Sequence, residues 1–431
     1  MSDFDADVIV AGGGPSGSAA AAFLARSRRR VLLFERDEFP RFHIGESLLA
    51  SVNDVMAAIG ADQLVREAGF PQKWGATFML ADGRNERYAD FSNAPGVRAP
   101  QTWQVPRATF DHLLLKHAAA SGALVHERHR VLDVSFDAAG VAVSIQGPEG
   151  APRQFRARAI IDASGRVGLL SRKFGLRVDE QRLANIAVFS HYTGVPRQEG
   201  RRAGDIRIIA CADLGWFWMI PISNELTSVG VVMPRAAFKA LPDLEPDRLL
   251  EHAIAGTPVV ARLLAHCKRE WPVRVEKDFS FGSRAYAGDR WVLVGDAGSF
   301  LDPVFSTGVA IALESGLEAA QAISQGLASG DLSARQFAGF ARRQRQRYGS
   351  FRRFVLGFYT PAFRDLFFNE KPPERMFNAI VTHFAGYWRP RLSTRLWVTL
   401  FFVLVWVQQY VPVSPPVWRS HDDEPVRGVR L

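Results

Sequence analysis

The 431-residue sequence predicts an α/β protein with a parallel sheet, a second and mainly antiparallel sheet, and a helical C-terminal region. Three observations carry that expectation. A short apolar run, Asp7-Val8-Ile9-Val10-Ala11, ends in a glycine-rich turn and opens directly into an alanine-rich helix. Two later apolar runs, Ala159 to Ile161 and Trp291 to Val294, also end in acidic and glycine residues, as strands do at the ligand-binding edge of a parallel sheet. Between them, residues 74–105 and 185–285 are rich in β-branched and aromatic residues broken by turn signals, the pattern of antiparallel strands.

The turn after the first strand reads Gly12-Gly13-Gly14-Pro15-Ser16-Gly17. Glycines at 12, 14 and 17 let the turn be tight, the backbone approach a pyrophosphate and the helix N-terminus meet its charge. The second strand, Val31-Leu32-Leu33-Phe34, ends at Glu35-Arg36, and Glu35 lies 18 residues beyond Gly17. An acidic residue about 20 positions on is expected at the ribose of a dinucleotide, so the first sheet is read as Rossmann-like. Asp162-Ala163-Ser164-Gly165 and Gly295-Asp296-Ala297 terminate the later strands. With Asp302-Pro303 and Ser306-Thr307-Gly308 at a further helix start, they supply a second phosphate-and-ribitol cradle, which favours FAD over NAD.

These elements divide the chain into an FAD-binding and substrate module over residues 1–350 and a C-terminal helical region over 351–431. The FAD-binding segments fall at about 1–70, 105–175 and 285–350, and the substrate-side sheet at about 74–105 and 185–285. In the second sheet, Trp216-Phe217-Trp218-Met219-Ile220-Pro221 sets two indoles one residue apart. Strand alternation places Trp216, Trp218 and Ile220 on one surface and Phe217 on the other, either as core aromatics or as one wall of a rigid tunnel ending at Pro221.

A composition of 47% apolar and 23% charged residues is that of a globular chain, not a disordered one. The net charge of +9 is mostly arginine, with a run at Arg26, Arg28, Arg29 and Arg30 and a scatter from Arg342 to Arg353. Such runs form solvated faces or meet an acidic partner such as a carrier protein or an anionic membrane surface. No module for reading nucleic acid accompanies them. Cys211 and Cys267 alone support neither a disulfide framework nor a thiolate metal site, which fits a reducing cytoplasm, and the acidic N-terminus lacks a secretory pattern. His43, His112 and His191 are not spaced as metal ligands and are assigned to packing or the surface; no metal is expected.

The C-terminal segment 396–413 is uncharged, and its apolar run of about 12 residues is shorter than the ~20 needed to cross a bilayer. It is suited to packing on the body or a partner, or to peripheral contact with the inner face of a membrane.

The chain resembles the flavin-dependent halogenases, in the phenol and pyrrole branch of the aromatic hydroxylase and geranylgeranyl reductase superfamily. The FAD signatures are Gly12 to Gly17 with Glu35, Val105-Pro106-Arg107 before Phe110-Asp111, Asp162 to Gly165, and Gly295-Asp296 with Asp302-Pro303. More specific to the halogenases are Arg41-Phe42-His43-Ile44-Gly45-Glu46-Ser47-Leu48 and the Trp216 to Pro221 hexapeptide. The resemblance spans roughly residues 5–385.

It implies that FAD is held by Gly12, Gly14, Pro15, Ser16, Gly17, Glu35, Arg36, Gly45, Glu46, Ser47, Arg107, Asp162, Gly165, Asp296, Pro303 and Gly308. It implies reduced FAD from a separate flavin reductase, oxygen, and chloride or bromide converted to hypohalous acid. Halide would sit at the backbone of Ser306, Thr307 and Gly308, where helix N–H groups attract anions. The acid would pass along Trp216, Trp218, Ile220 and Pro221 to Lys73, whose amine in an apolar pocket binds it or forms a haloamine beside the substrate.

Tryptophan halogenases carry a glutamate before the Ser-Thr-Gly triplet to take the substrate proton; this chain has Phe305. The resemblance therefore points to an electron-rich phenol or pyrrole in secondary metabolite biosynthesis, free or tethered to a carrier protein. The competing readings are a flavin monooxygenase or reductase without halide chemistry, and a non-catalytic FAD-bound partner.

Overall fold

The structure is a computed structural model that describes residues 4–211, 215–240, 245–277, 280–369 and 372–418. Its first strand, Ala6–Ala11, lies between Val31–Phe34 and Arg153–Asp162, parallel to both. Leu124–His126 extends the parallel sheet on one side and Trp291–Leu293 on the other. Such a sheet is covered on both faces, so its strands are almost continuously apolar, and the burial of Val8, Ile9, Val10, Ile160 and Ile161 follows. All these strands run the same way, so their C-terminal ends deliver Gly12, Glu35, Asp162 and Gly295 to one edge.

The second sheet runs in the order Lys268–Arg269, Asn185–Thr193, Leu226–Pro234, Gly215–Pro221, Ile206–Cys211, Gly75–Leu80, Arg87–Asp90. Its neighbours are antiparallel except Ile206–Cys211 and Gly75–Leu80, which run parallel. The alternation expected for the hexapeptide is observed. Trp216, Trp218 and Ile220 join the main core shared with the first sheet, whereas Phe217 and Met219 point into a smaller core under helices Pro246–Ala255 and Pro258–Leu264.

Helix Ala338–Phe358 runs through residue 351 without a break, so the C-terminal helices continue the body. They pack by aromatic contacts: Phe384 stacks on Phe305 with ring centroids 4.4 Å apart, Phe354 meets Phe402 at 4.9 Å, and Phe367 meets Phe78 at 5.1 Å. A buried phenylalanine contributes about 1.5–3 kcal/mol, so this cluster fixes the helices over the junction of the two sheets.

Candidate active site

The glycines of the first turn are required by close approach. A Cβ on Gly17 would stand 1.9 Å from the carbonyl oxygen of Gly12, and one on Gly12, whose φ is +112°, would stand 2.3 Å from that of Ala163. Gly14 caps helix Pro15–Arg26 without a side-chain bond, and Pro15 begins it, which leaves the first amides of the helix for a ligand. Arg41 reaches toward this turn: its Nη2 lies 3.6 Å from where a Gly14 Cβ would be.

Behind the turn, Arg107 holds Asp111 in a two-pronged pair, with Nε to Oδ1 at 2.8 Å and Nη2 to Oδ2 at 2.9 Å, while Arg41 donates to Oδ2 at 3.0 Å. Burial alone would raise the Asp111 pKa, but the two guanidinium groups bring it below the usual carboxylate range. Arg107 also donates to the carbonyl of Ile44 at 2.8 Å. A Cβ on Gly45 would stand 2.8 Å from Arg107 Nη1, so the segment Gly45-Glu46-Ser47 is fastened over the ion pair.

Glu35 sits at the end of its strand and accepts from Gly13 N–H at 2.6 Å and Asp37 N–H at 2.9 Å, whereas Arg36 beside it is exposed. Asp162 is engaged by its own loop: Ser164 N–H and Oγ–H donate to one oxygen at 3.0 and 2.6 Å, and Leu170 N–H to the other at 2.7 Å. Its carboxylate therefore shapes the 162–170 turn around Gly165. Burial pushes the Asp296 carboxyl up to about 6 against the pull of Arg107 and Arg166. Glu46 is buried, and its Oε2 has no partner among the described residues.

FAD fits this constellation. The close backbone approach, the uncapped helix start beside Arg41 and the unpartnered Glu46 oxygen each offer what a dinucleotide with a hydrogen-bonding ring would fill.

At the second cradle, Asp302 caps a short turn Pro303–Phe305, and Ser306 adopts the left-handed region at φ +57°. The Ser306 N–H is already donated to the Pro303 carbonyl at 2.8 Å, so the triplet's free helix-start amides are those of Thr307 and Gly308, which open helix Thr307–Ser329. Phe305, stacked on Phe384, leaves no carboxylate at that position.

A hydrogen-bonded chain ties this turn to the buried indole pair. Trp216 Nε1 donates to the Tyr359 hydroxyl at 2.8 Å, and that hydroxyl donates to Asp302 Oδ2 at 2.8 Å; Asn185 Nδ2 donates to the same oxygen at 2.8 Å. Burial raises the Asp302 carboxyl to about 6 despite these donors. Trp218 is fixed by a bond to Ser228 Oγ at 3.1 Å, with its ring 5.8 Å from that of Trp216. Gly230 lies beneath it, where a Cβ would come within 2.3 Å of the Trp218 ring and 2.5 Å of Phe189.

Cross-strand pairing gives the row of buried indoles its direction. Trp216 lies in one row with Ala210 and Leu80, and Trp218 in the next same-face row with Ile208 and Phe78. From Trp216 to Ile220 the strand advances about 13 Å, from the Asp302 end toward the start of Gly75–Leu80, just after Lys73.

Lys73 occupies a two-residue strand paired with Thr102–Trp103 and is 1% exposed. Its Nζ donates to Ser47 Oγ and to the Leu48 carbonyl, both at 2.8 Å, and lies 5.3 Å from the centre of the Phe91 ring. Burial pushes its pKa down to about 7, and the Asp205 carboxylate opposes that shift. Asp205 accepts from Trp74 N–H at 2.6 Å, Gly75 N–H at 3.0 Å and Tyr88 O–H at 2.9 Å; burial raises its own pKa against these bonds.

A family model described as Tryptophan halogenase matches residues 7–99 and 89–374. The chain belongs to the tryptophan halogenase family. It is 31% identical to the 1H-pyrrole-2-carbonyl-(peptidyl-carrier protein) chlorinase of Pseudomonas fluorescens, over 83% of this chain and 84% of that one. It is 34% identical to the corresponding brominase of Pseudoalteromonas luteoviolacea, over 77% and 80%. A solved structure of a triple mutant of the flavin-dependent brominase Bmp2 superposes with a TM-score of 0.81 at 28% identity, covering 92% of this chain and 99% of that one.

In this flavin-dependent halogenase the site also draws on residues that no motif announces. Asp205 follows the Gly200–Gly204 turn and reaches the lysine strand over more than a hundred residues of sequence. Tyr359 comes from the C-terminal helices. His191, assigned from sequence to packing or the surface, is buried with Nε2 2.9 Å from Glu46 Oε1 and its ring 4.4 Å from Trp271. Each joins elements distant in sequence, and only the topology brings them together.

Proposed function

We propose that this halogenase places chlorine or bromine on an electron-rich phenol or pyrrole, free or carrier-bound, through Lys73. The observation that carries this reading is the lysine itself: an amine 1% exposed, held by two acceptors, at the far end of a wall that starts beside the Asp302 turn. Bound FAD, reduced by a separate flavin reductase, supplies with oxygen the two-electron oxidation of halide to hypohalous acid.

The chain's own residues do the rest. The amides of Thr307 and Gly308, on the turn shaped by Ser306, hold the halide at a positive helix start. Trp216, Trp218 and Ile220 exclude water from the route to Lys73. An ammonium has three donors, and Ser47 and Leu48 take two, so one N–H remains for the oxygen of hypohalous acid.

With a pKa near 7 the neutral amine is also populated, and its lone pair can take the halogen with loss of water. In either form the arene replaces a C–H with a carbon–halogen bond. Hydrogen-bonded acid gives water as the other product, and a haloamine returns the amine. With Phe305 where a carboxylate base would stand, the substrate's own hydroxyl or ring nitrogen must stabilise the cation formed.

The test is incubation with reduced FAD, oxygen, bromide or chloride, and a panel of phenols and pyrroles, free and carrier-bound. Products gaining the mass of one halogen support the reading; products gaining only oxygen, or none, reject it.

A further inference from the structure

Helix Leu392–Gln408 is mostly apolar, with Ser393, Arg395 and Thr399 the polar residues of its exposed side, yet only one side of it is covered. Val398, Phe401, Phe402 and Val405 are buried against the body. The opposite side shows Leu392, Leu396, Leu400, Val403 and Trp406 to solvent, and the following turn adds Tyr410, Val411 and Val413. Eight of the fourteen large apolar side chains that are exposed among the described residues therefore lie in one 22-residue stretch. Contiguous exposed apolar surface of this kind marks a place where something docks.

Charge narrows what covers it. Residues 376–418 contain no aspartate or glutamate, while Arg389, Arg391 and Arg395 flank the apolar face at its N-terminal end. Among the described residues none of these arginines is paired with a carboxylate; Arg389 donates to Gln346 and lies over the Trp388 ring. A second copy of the chain would present the same acid-free, arginine-flanked face and no carboxylate to meet those groups. No described helix is long and apolar enough to cross a membrane. Aliphatic and aromatic side chains on one exposed side, with guanidinium groups beside them and no carboxylate, are the composition of an interfacial helix.

We infer that the outward face of Leu392–Gln408, with the Tyr410–Val413 turn, docks the protein on the surface of a bilayer containing anionic phospholipid. The helix lies flat, with Leu396, Leu400 and Val403 in the acyl boundary, Trp406 and Tyr410 at headgroup depth, and Arg391 and Arg395 against phosphate. Its inner side is tied to the Asp302 turn through Phe402, Phe354 and Phe305, so the docked helix is part of the same rigid body as the site.

The experiment is flotation of the FAD-loaded full chain with phosphatidylcholine vesicles, with and without about a third phosphatidylglycerol. The protein is expected to float with the anionic vesicles and far less with the neutral ones. The double variant Leu400→Glu/Val403→Glu should reduce flotation about tenfold or more, with flavin content and circular dichroism unchanged. Arg391→Gln/Arg395→Gln should keep the apolar contact but lose the preference for anionic lipid. Flotation that survives the glutamate variant would overturn the assignment of the face. Absence of flotation would overturn the proposal itself, whether the protein then sediments as a dimer through this helix or as a monomer.

Discussion

Trp216 and Asp302 meet at one hydroxyl, that of Tyr359, which accepts from the indole and donates to the carboxylate at 2.8 Å each. The turn that presents Thr307 and Gly308 and the strand that carries the paired indoles are therefore held in one register by the residue that ends helix Ala338–Phe358.

Tyr359→Phe should separate the two. It leaves a buried indole N–H without its acceptor and removes one donor from Asp302, at a cost of about 1–3 kcal/mol in denaturant unfolding. Hypohalous acid escaping into solvent should rise relative to halogenated product, read with a soluble halogen acceptor. Unchanged partition would show that the Tyr359 bridge does not govern the wall.

Lys73→Ala should abolish halogenation while most of the flavin content is retained, because Ser47 is the one residue expected at the flavin to which Lys73 bonds and, among the described residues, none of the glycine turn bonds to it. Product formation by the variant at wild-type rate would remove the lysine from the chemistry.

Lys73 also predicts a pH signature in stability. Its pKa is about 7 in the fold and 10.5 ordinarily, so between those values the unfolded chain binds more protons and stability rises with pH, by at most about 1.4 kcal/mol per unit. Unfolding of wild type and Lys73→Met across this window should show the steeper rise with pH in the wild type.

Asp205→Asn tests the electrostatic partner. The carboxylate raises the Lys73 pKa against burial, so its removal should shift the limb of the kcat/KM profile governed by Lys73 to lower pH. Tyr88→Phe, which keeps the charge and removes only a hydrogen bond to it, should move that limb less.

Gly17→Ala and Gly14→Ala should differ sharply. A methyl at 17 collides with the Gly12 carbonyl, whereas at 14 its nearest neighbour is an arginine nitrogen 3.6 Å away. Flavin titration should show binding lost in the first variant and largely kept in the second.

The glycine turn and the strand ends on one sheet edge were legible in the sequence because their geometry is local: a glycine turn needs its glycines in a fixed order, and a strand's end is marked by where its apolar run stops. Trp216 and Trp218 were legible for the same reason, since strand alternation is a rule about neighbours. Asp205, Tyr359 and the Glu46–His191 contact were not. Each works through a partner more than a hundred residues away, and a single aspartate or tyrosine outside a motif looks like any other polar residue. Ser306 shows the finer limit. Its triplet was readable, but that its own amide closes back on Pro303 depends on a left-handed backbone angle that the letters do not encode.

The bare backbone at Gly230 sets the clearance under the Trp218 ring, since even a methyl would press within 2.3 Å of the indole. Replacing it with alanine would force the indole and Phe189 to shift without altering any group that reacts. On the proposed route, the size of residue 230 therefore sets where the Trp218 indole sits, a setting independent of every group that reacts.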